Sequence, residues 1–242
     1  MTSATVRPVL DGTRKVVRFN WPKYVAAVAV VAASVRWAVW RPPFPGSVLL
    51  WLVATAATIW TCSSLVATWW VYDHKRIYDL VGAELGPVGR YAAVHAGFDD
   101  ATPHLERSIG YGPVAVADLQ VRPRGSLRRA RDLPMAHDRA PGPLPIRTAA
   151  LDSVFLTFAI HEVRPREDQR ALFAELHRVL VRGGRLVVTE HMLDPANLGV
   201  FGPGALHFQR AENWRRRARE TRFDLVTDDR LTPFVRRLVW QR

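Results

Sequence analysis

Between Ala149 and Glu190 the chain reads AALDSVFLTFAIHEVRPREDQRALFAELHRVLVRGGRLVVTE, and this stretch restricts the possible folds most. Ser153 to Ile160 is an uncharged, largely apolar run rich in aromatic and branched residues, which is how a strand buried on both faces looks. Pro165 opens a helix, since proline is tolerated where the first N–H has no intrahelical partner. Leu172, Phe173, Leu176, Val179 and Leu180 share one helical face. Gly183-Gly184 reads as the helix stop, and Leu186-Val187-Val188 as a second buried strand. Two buried strands joined by one helix form a right-handed parallel crossover. The fold class is therefore α/β.

The N-terminal third has a different character. Residues 1–23 are polar and basic (Arg7, Arg14, Lys15, Arg18, Lys23). Tyr24 to Trp40 is apolar apart from Arg36, and Arg41-Pro42-Pro43-Phe44-Pro45-Gly46 interrupts any helix. Ser47 to Tyr72 then carries no charge over 26 residues, whereas a membrane span needs about 20. A transmembrane helical hairpin over 24–72 follows, after a basic leader over 1–23. Trp37, Trp40, Trp51, Trp69, Trp70 and Tyr72 resemble interfacial belts. The outer flanks are more basic than the loop, which places both ends in the cytoplasm, at the inner membrane. Two buried helices of a soluble protein are the competing reading. Cys62 is the only cysteine, so there is no disulfide framework.

The formal charge of +12 divides evenly. Residues 1–72 hold seven basic and one acidic residue, and residues 73–242 hold 27 and 21. Basicity is not gathered on one face, which argues against a nucleic-acid partner. The cluster Arg122, Arg124, Arg128, Arg129 and Arg131 reads as a solvated helix face before it reads as a lipid- or nucleic-acid-binding patch.

Residues 73–87 form a linker helix, broken at Gly86-Pro87. From Arg90 the chain reads as a first strand running into the turn His95-Ala96-Gly97-Phe98-Asp99. A glycine there lets the backbone approach a ligand. Thr102 to Arg107 is helical, capped by Asp99, Asp100 or Thr102. Gly112 to Leu119 is a second strand. Asp118 lies 21 residues after Gly97, and an acid about 20 residues past a glycine turn binds ribose hydroxyls in nucleotide-binding units. Further expectations are a helix at Ser126–Asp132, a strand at Met135–His137, a long loop over 192–208, a helix over 211–221, and antiparallel strands over 223–227 and 234–241.

Asp152-Ser153-Val154, His161 and the phrase from Glu175 to Val188 (ELHRVLVRGGRLVV) resemble the later motifs of class I S-adenosylmethionine-dependent methyltransferases. The resemblance covers about residues 88–242. With AIHEVR, TEHMLDPAN and LTPFVRR, the whole is similar to a bacterial group of membrane-attached methyltransferases. It implies a Rossmann-like seven-stranded sheet with S-adenosyl-L-methionine as cofactor. It implies cofactor contacts at His95, Ala96, Gly97, Phe98 and Asp99 beneath the methionine end, at Asp118 on the ribose, at Asp138 and Arg139 beside the adenine, and at Phe158 and Ala159 on the other side. One glycine stands where that family has two or three. The catalytic candidates are His161, Glu162 and His191, with His161 or His191 as base or acceptor-orienting group. Glu190 and His207 lie in the same cluster, whose spacing matches no compact metal motif. The expected activity is methyl transfer to a small lipophilic or lipid acceptor at the membrane. The alternative is an inactive Rossmann-like scaffold.

Overall fold

The computed structural model describes residues 10–40, 45–119 and 143–242. The expected helix at Ser126–Asp132, the strand at Met135–His137, the arginine cluster, Asp138 and Arg139 all lie outside the described residues.

Six strands form one mixed sheet: β1 (Tyr91–His95), β2 (Ala115–Asp118), β3 (Leu151–Thr157), β4 (Leu180–Glu190), β5 (Asp224–Thr232) and β6 (Val235–Gln241). Their order is β2-β1-β3-β4-β6-β5. The first four are parallel, and β6 runs antiparallel between β4 and β5. The described residues thus carry six strands, where seven were expected.

Alternation along the strands fills two cores. Ala92, Val94, Val154, Leu156, Leu186 and Val188 face one side. There the helix Arg166–Val179 (α5) lays Leu172, Phe173 and Leu176 against Trp214 of the helix Ala211–Glu220 (α7). Ala93, Phe155, Val187 and Val239 face the other side, against Val81 and Leu105. Each large apolar side chain buried this way contributes about 1.5–3 kcal/mol, which is why the runs at 151–157 and 186–188 read so plainly as two-faced strands.

Three expectations are corrected. Gly183-Gly184 does not cap the helix, which ends at Val179. The pair lies inside β4 as a bulge: Leu151 pairs with Leu180, but Ser153 already pairs with Arg185. A Cβ on Gly184 would meet the Val181 carbonyl at 2.9 Å, and Gly183 has φ +79°, so the bulge needs both glycines. Residues 192–208 are not a loop but a helix, α6 (Pro195–Phe201), capped by Asp194, followed by the 3-10 segment Gly202–His207. Asp228 and Asp229 do not separate the last strands, since β5 runs through them to Thr232. Arg237, 4% exposed, pairs with Asp229 at 2.7 Å and donates to the Ala83 carbonyl at 2.7 Å.

The N-terminal third forms two long helices, α1 (Asp11–Trp40) and α2 (Pro45–Thr68), packed as a hairpin. α2 continues through one π-helical segment, Trp69–His74. The expected linker helix is a single turn, α3 (Ile77–Leu80). Both long helices are apolar enough to cross a membrane, and only 11% and 6% of their apolar windows are buried. Trp37, Trp40, Leu52 and Val66 are all more than half exposed.

Residues 11–23, read as a separate leader, are the first turns of α1 itself. Asp73 explains why the helix starts so early. Its carboxylate accepts from the backbone N–H groups of Gly12 (2.8 Å) and Thr13 (2.9 Å) and from the Thr13 hydroxyl (2.5 Å), satisfying donors that a helix start leaves orphaned. A Cβ on Gly12 would sit 2.5 Å from Tyr72 Cβ, so glycine permits this close approach.

Candidate active site

At the carboxyl end of β1 the chain turns through His95–Asp99 into the helix Thr102–Ile109 (α4). Gly97 has φ +83°, a conformation that costs an L-residue about 1–2 kcal/mol. Its N–H donates to His95 Nδ1 at 3.1 Å. Asp99 accepts the Thr102 N–H at 3.0 Å, while the cap position itself is Ala101 and not one of the three expected residues. Asp118 ends β2 in register with His95, one strand from the turn, where a ribose-binding acid belongs.

A cavity of about 180 Å³ opens over this turn. Among the sequence candidates its walls include His95, Ala96, Phe98, Asp99, Phe158, His161 and Glu162. Ala159 lies in the core instead. Thr157, at the end of β3, also lines this cavity. Its hydroxyl is buried without a partner among the described residues. A buried donor left unpaired costs about 1–3 kcal/mol, so its presence at a cavity wall suits a polar ligand. Gly97 and Asp118 are not among the cavity's walls: the glycine shapes the turn at its edge, and the acid ends the neighbouring strand.

Phe158 follows Thr157 with φ +50°. A bulky residue in this region is strained, and such strain clusters at functional sites. The twist turns the chain from β3 into the 3-10 turn Ile160–Glu162, which carries His161.

His161 lies between two carboxylates. Nδ1 is 2.8 Å from Glu190 Oε2, and Nε2 is 3.4 Å from Glu162 Oε1. Glu190 is fully buried, and its other oxygen accepts the His191 N–H at 2.9 Å. Burial opposes the imidazolium, but the attraction of Glu190 and Glu162 outweighs it and raises His161 to about 10. Burial also acts against the charged form of Glu162, and His161 reverses that, holding its carboxyl below the usual range. Burial and the nearby His161 charge push His207 down to about 4.

His191 is engaged differently. Burial lowers its pKa, which favours the neutral ring. Nδ1 then donates to the Phe234 carbonyl at 2.9 Å, and Nε2 accepts from the Tyr72 hydroxyl at 3.2 Å. The ring is stacked between Phe158 (5.0 Å) and Phe208 (5.1 Å). With both nitrogens bonded and both faces covered, His191 joins the hairpin to the sheet. His161, with its loosely held Nε2, is better placed to meet a reacting group.

A second cavity, of about 600 Å³, adjoins the first. Val16, Asn20, Tyr72, Phe158 and His161 line both. Its remaining walls come from the hairpin (Tyr24, Ala27, Trp60, Thr61) and from the domain (His191, Phe201, His207, Phe208). Sequence reasoning missed the hairpin's part because those residues carry no motif. Their one signal was small and polar residues, Thr61 and Ser64, within an apolar span. Among the described residues, no group of three or more His, Cys, Asp or Glu side chains is arranged to hold a metal ion.

Residues 113–188 match the methyltransferase domain family. The chain carries a class I methyltransferase domain, the kind that uses S-adenosylmethionine. The match begins after the turn at Gly97, so the glycine-poor segment lies outside it. Among solved structures, the chain resembles the pyocyanin biosynthetic protein PhzM (TM-score 0.53, 16% identity) over 83% of its own length and 59% of that chain. PH0226 protein from Pyrococcus horikoshii OT3 is similar over 69% of this chain and 90% of its own (TM-score 0.50, 14% identity). At these identities the likeness is one of fold. No curated protein sequence matches.

Valine at position 97 tests whether the turn after β1 serves the cofactor. Gly97→Val is expected to weaken S-adenosylhomocysteine binding about tenfold or more, because left-handed strain at this position would displace the turn that carries His95, Ala96, Phe98 and Asp99. Calorimetric titration of the full-length protein reads this directly. Unchanged affinity would remove the turn from the cofactor site.

Proposed function

We propose that this protein methylates a small lipophilic acceptor taken from the bilayer, with its methyltransferase domain held at the cytoplasmic face by the α1–α2 hairpin. One observation carries this reading. The larger cavity is walled jointly by the apolar hairpin and by the domain, and it reaches the cofactor turn through shared residues. A water-soluble acceptor would need no such wall. The low burial of both helices supports their lying in lipid, and the tryptophans near their ends suit an interface.

The cofactor, when bound, supplies a methyl group on a sulfonium. In this reading the chain's own residues do the rest. Gly97 and Asp118 hold the cofactor. Phe158, Trp60 and Phe208 confine the acceptor and exclude water, which aligns nucleophile and methyl. His161, oriented by Glu190, holds the acceptor oxygen through Nε2 and takes its proton once the imidazole is neutral. Glu162 gives up its loose contact with Nε2 to the acceptor.

The test is incubation of the detergent-extracted full-length protein with a lipid extract and methyl-labelled S-adenosylmethionine. Label is expected in solvent-extractable product. Label confined to water-soluble products would overturn the lipophilic acceptor.

A further inference from the structure

We propose that the first turns of α1 complete the site for the amino-acid end of S-adenosylmethionine, with Lys15 receiving the carboxylate of that zwitterion. This rests on reading the Gly97 turn as the cofactor site. α1 lies outside the residues that match the methyltransferase domain, yet it supplies one wall of the cavity over the turn, through Gly12, Lys15, Val16, Phe19 and Asn20.

Groups of both signs converge there. Lys15 Nζ lies 3.1 Å from Asp100 Oδ1 and 3.4 Å from Asp11 Oδ2. Asp99 and Asp100 line the same cavity. Thr157, 9% exposed, lines the cavity too, and its hydroxyl has no partner among the described residues. An α-ammonium fits Asp100 and Thr157, and an α-carboxylate fits Lys15. The Lys15–Asp100 pair is partly exposed, and pairs of that kind are worth at most about 1 kcal/mol. Lys15 therefore exchanges Asp100 for a ligand carboxylate at little cost.

The wall is fixed in place. Asp73 anchors the start of α1, and Phe19 packs edge-to-face on Phe98 with ring centroids 5.4 Å apart. The helix thus closes over the one residue of the turn whose bulk departs most from glycine. A rigid helix here does the work that a wrapping glycine-rich loop would otherwise do.

The experiment is calorimetry on the full-length protein in detergent with S-adenosylhomocysteine and with 5′-methylthioadenosine, which lacks the amino-acid end. Lys15→Met is expected to weaken S-adenosylhomocysteine about tenfold, as loss of a charge-assisted hydrogen bond does. The same variant is expected to leave 5′-methylthioadenosine unchanged, and Lys15→Arg to recover most of the loss. Equal S-adenosylhomocysteine affinity in K15M and wild type would overturn the assignment and leave the cofactor site standing. An equal loss for both nucleosides would also overturn it, pointing to a general disturbance of the fold. A wild-type protein that binds neither nucleoside would overturn the cofactor site and this inference together.

Discussion

Replacing His161 with alanine is expected to lower methyl transfer by about a hundred- to ten-thousandfold, the range typical of removing a general base, while S-adenosylhomocysteine still binds. The pH dependence gives a sharper expectation. His161 titrates near 10 because Glu190 and Glu162 outweigh its burial, so little of it is neutral at pH 7. Turnover of the wild type should climb as pH rises from 7 toward 10. Glu190→Gln removes the nearer buried carboxylate, so the climb should move to lower pH and its plateau should fall as the ring loses its orienting partner. A profile flat from pH 7 to 9 would show that His161 is not the base. The same shift acts on stability with a definite sign. The folded pKa lies above the unfolded value of 6.5, so the stabilisation is fully present below about 6.5 and is lost as pH rises to about 10. Rising activity and loosening of the fold should therefore appear in the same alkaline window, and thermal melts across pH 6–10 would show the second.

Replacing Gly202 with valine is expected to loosen the contact of α2 with the end of α6, leaving the start of α1 anchored at Asp73. A Cβ at this position would lie 2.4 Å from Trp60 Cδ2, and the backbone has φ +53°. With ψ at −138° this backbone conformation is nearly restricted to glycine and costs another residue about 1–3 kcal/mol, and forcing the indole aside costs about 1–3 kcal/mol more. The neighbouring bond from the Ser63 hydroxyl to the Val200 carbonyl, 2.7 Å, sits on the same contact and would weaken with it. Since Trp60 walls the larger cavity, KM for a lipophilic acceptor should rise while S-adenosylhomocysteine affinity stays unchanged. A melting temperature and acceptor KM equal to wild type would show that this contact does not shape the cavity.

The inner strands and α5 were legible because periodicity and burial there come from residues close in sequence. The apolar run ending at Thr157 and the face formed by Leu172, Phe173 and Leu176 each announce their own element. α6 was not legible. It is short, and part of its packing partner is Trp60, far away in the chain, so its segment shows no periodicity of its own. Gly183-Gly184 misled for a local reason: glycines after a helical face look like a cap, and only the strand register reveals a bulge. Near the site, the position of Gly97 in the turn after β1 and of Asp118 at the end of β2 could be read from the sequence. The ranking of His161 above His191 could not. It depends on which ring nitrogens are already bonded, and the partners of His191, Tyr72 and Phe234, lie 119 and 43 residues away.

The unbroken course of α1 has a mechanical consequence. One helix carries Lys15 ahead of Pro22 and, beyond it, Tyr24 and Ala27 at the larger cavity. Each residue of an α-helix turns by about 100°. One extra residue inserted between Asn20 and Lys23 would leave the cap at Asp73 intact, yet swing everything beyond it by about a quarter turn. The two ends of the helix are thus geared together. The phase of this one helix, more than the length of any tether, sets how the two cavities meet.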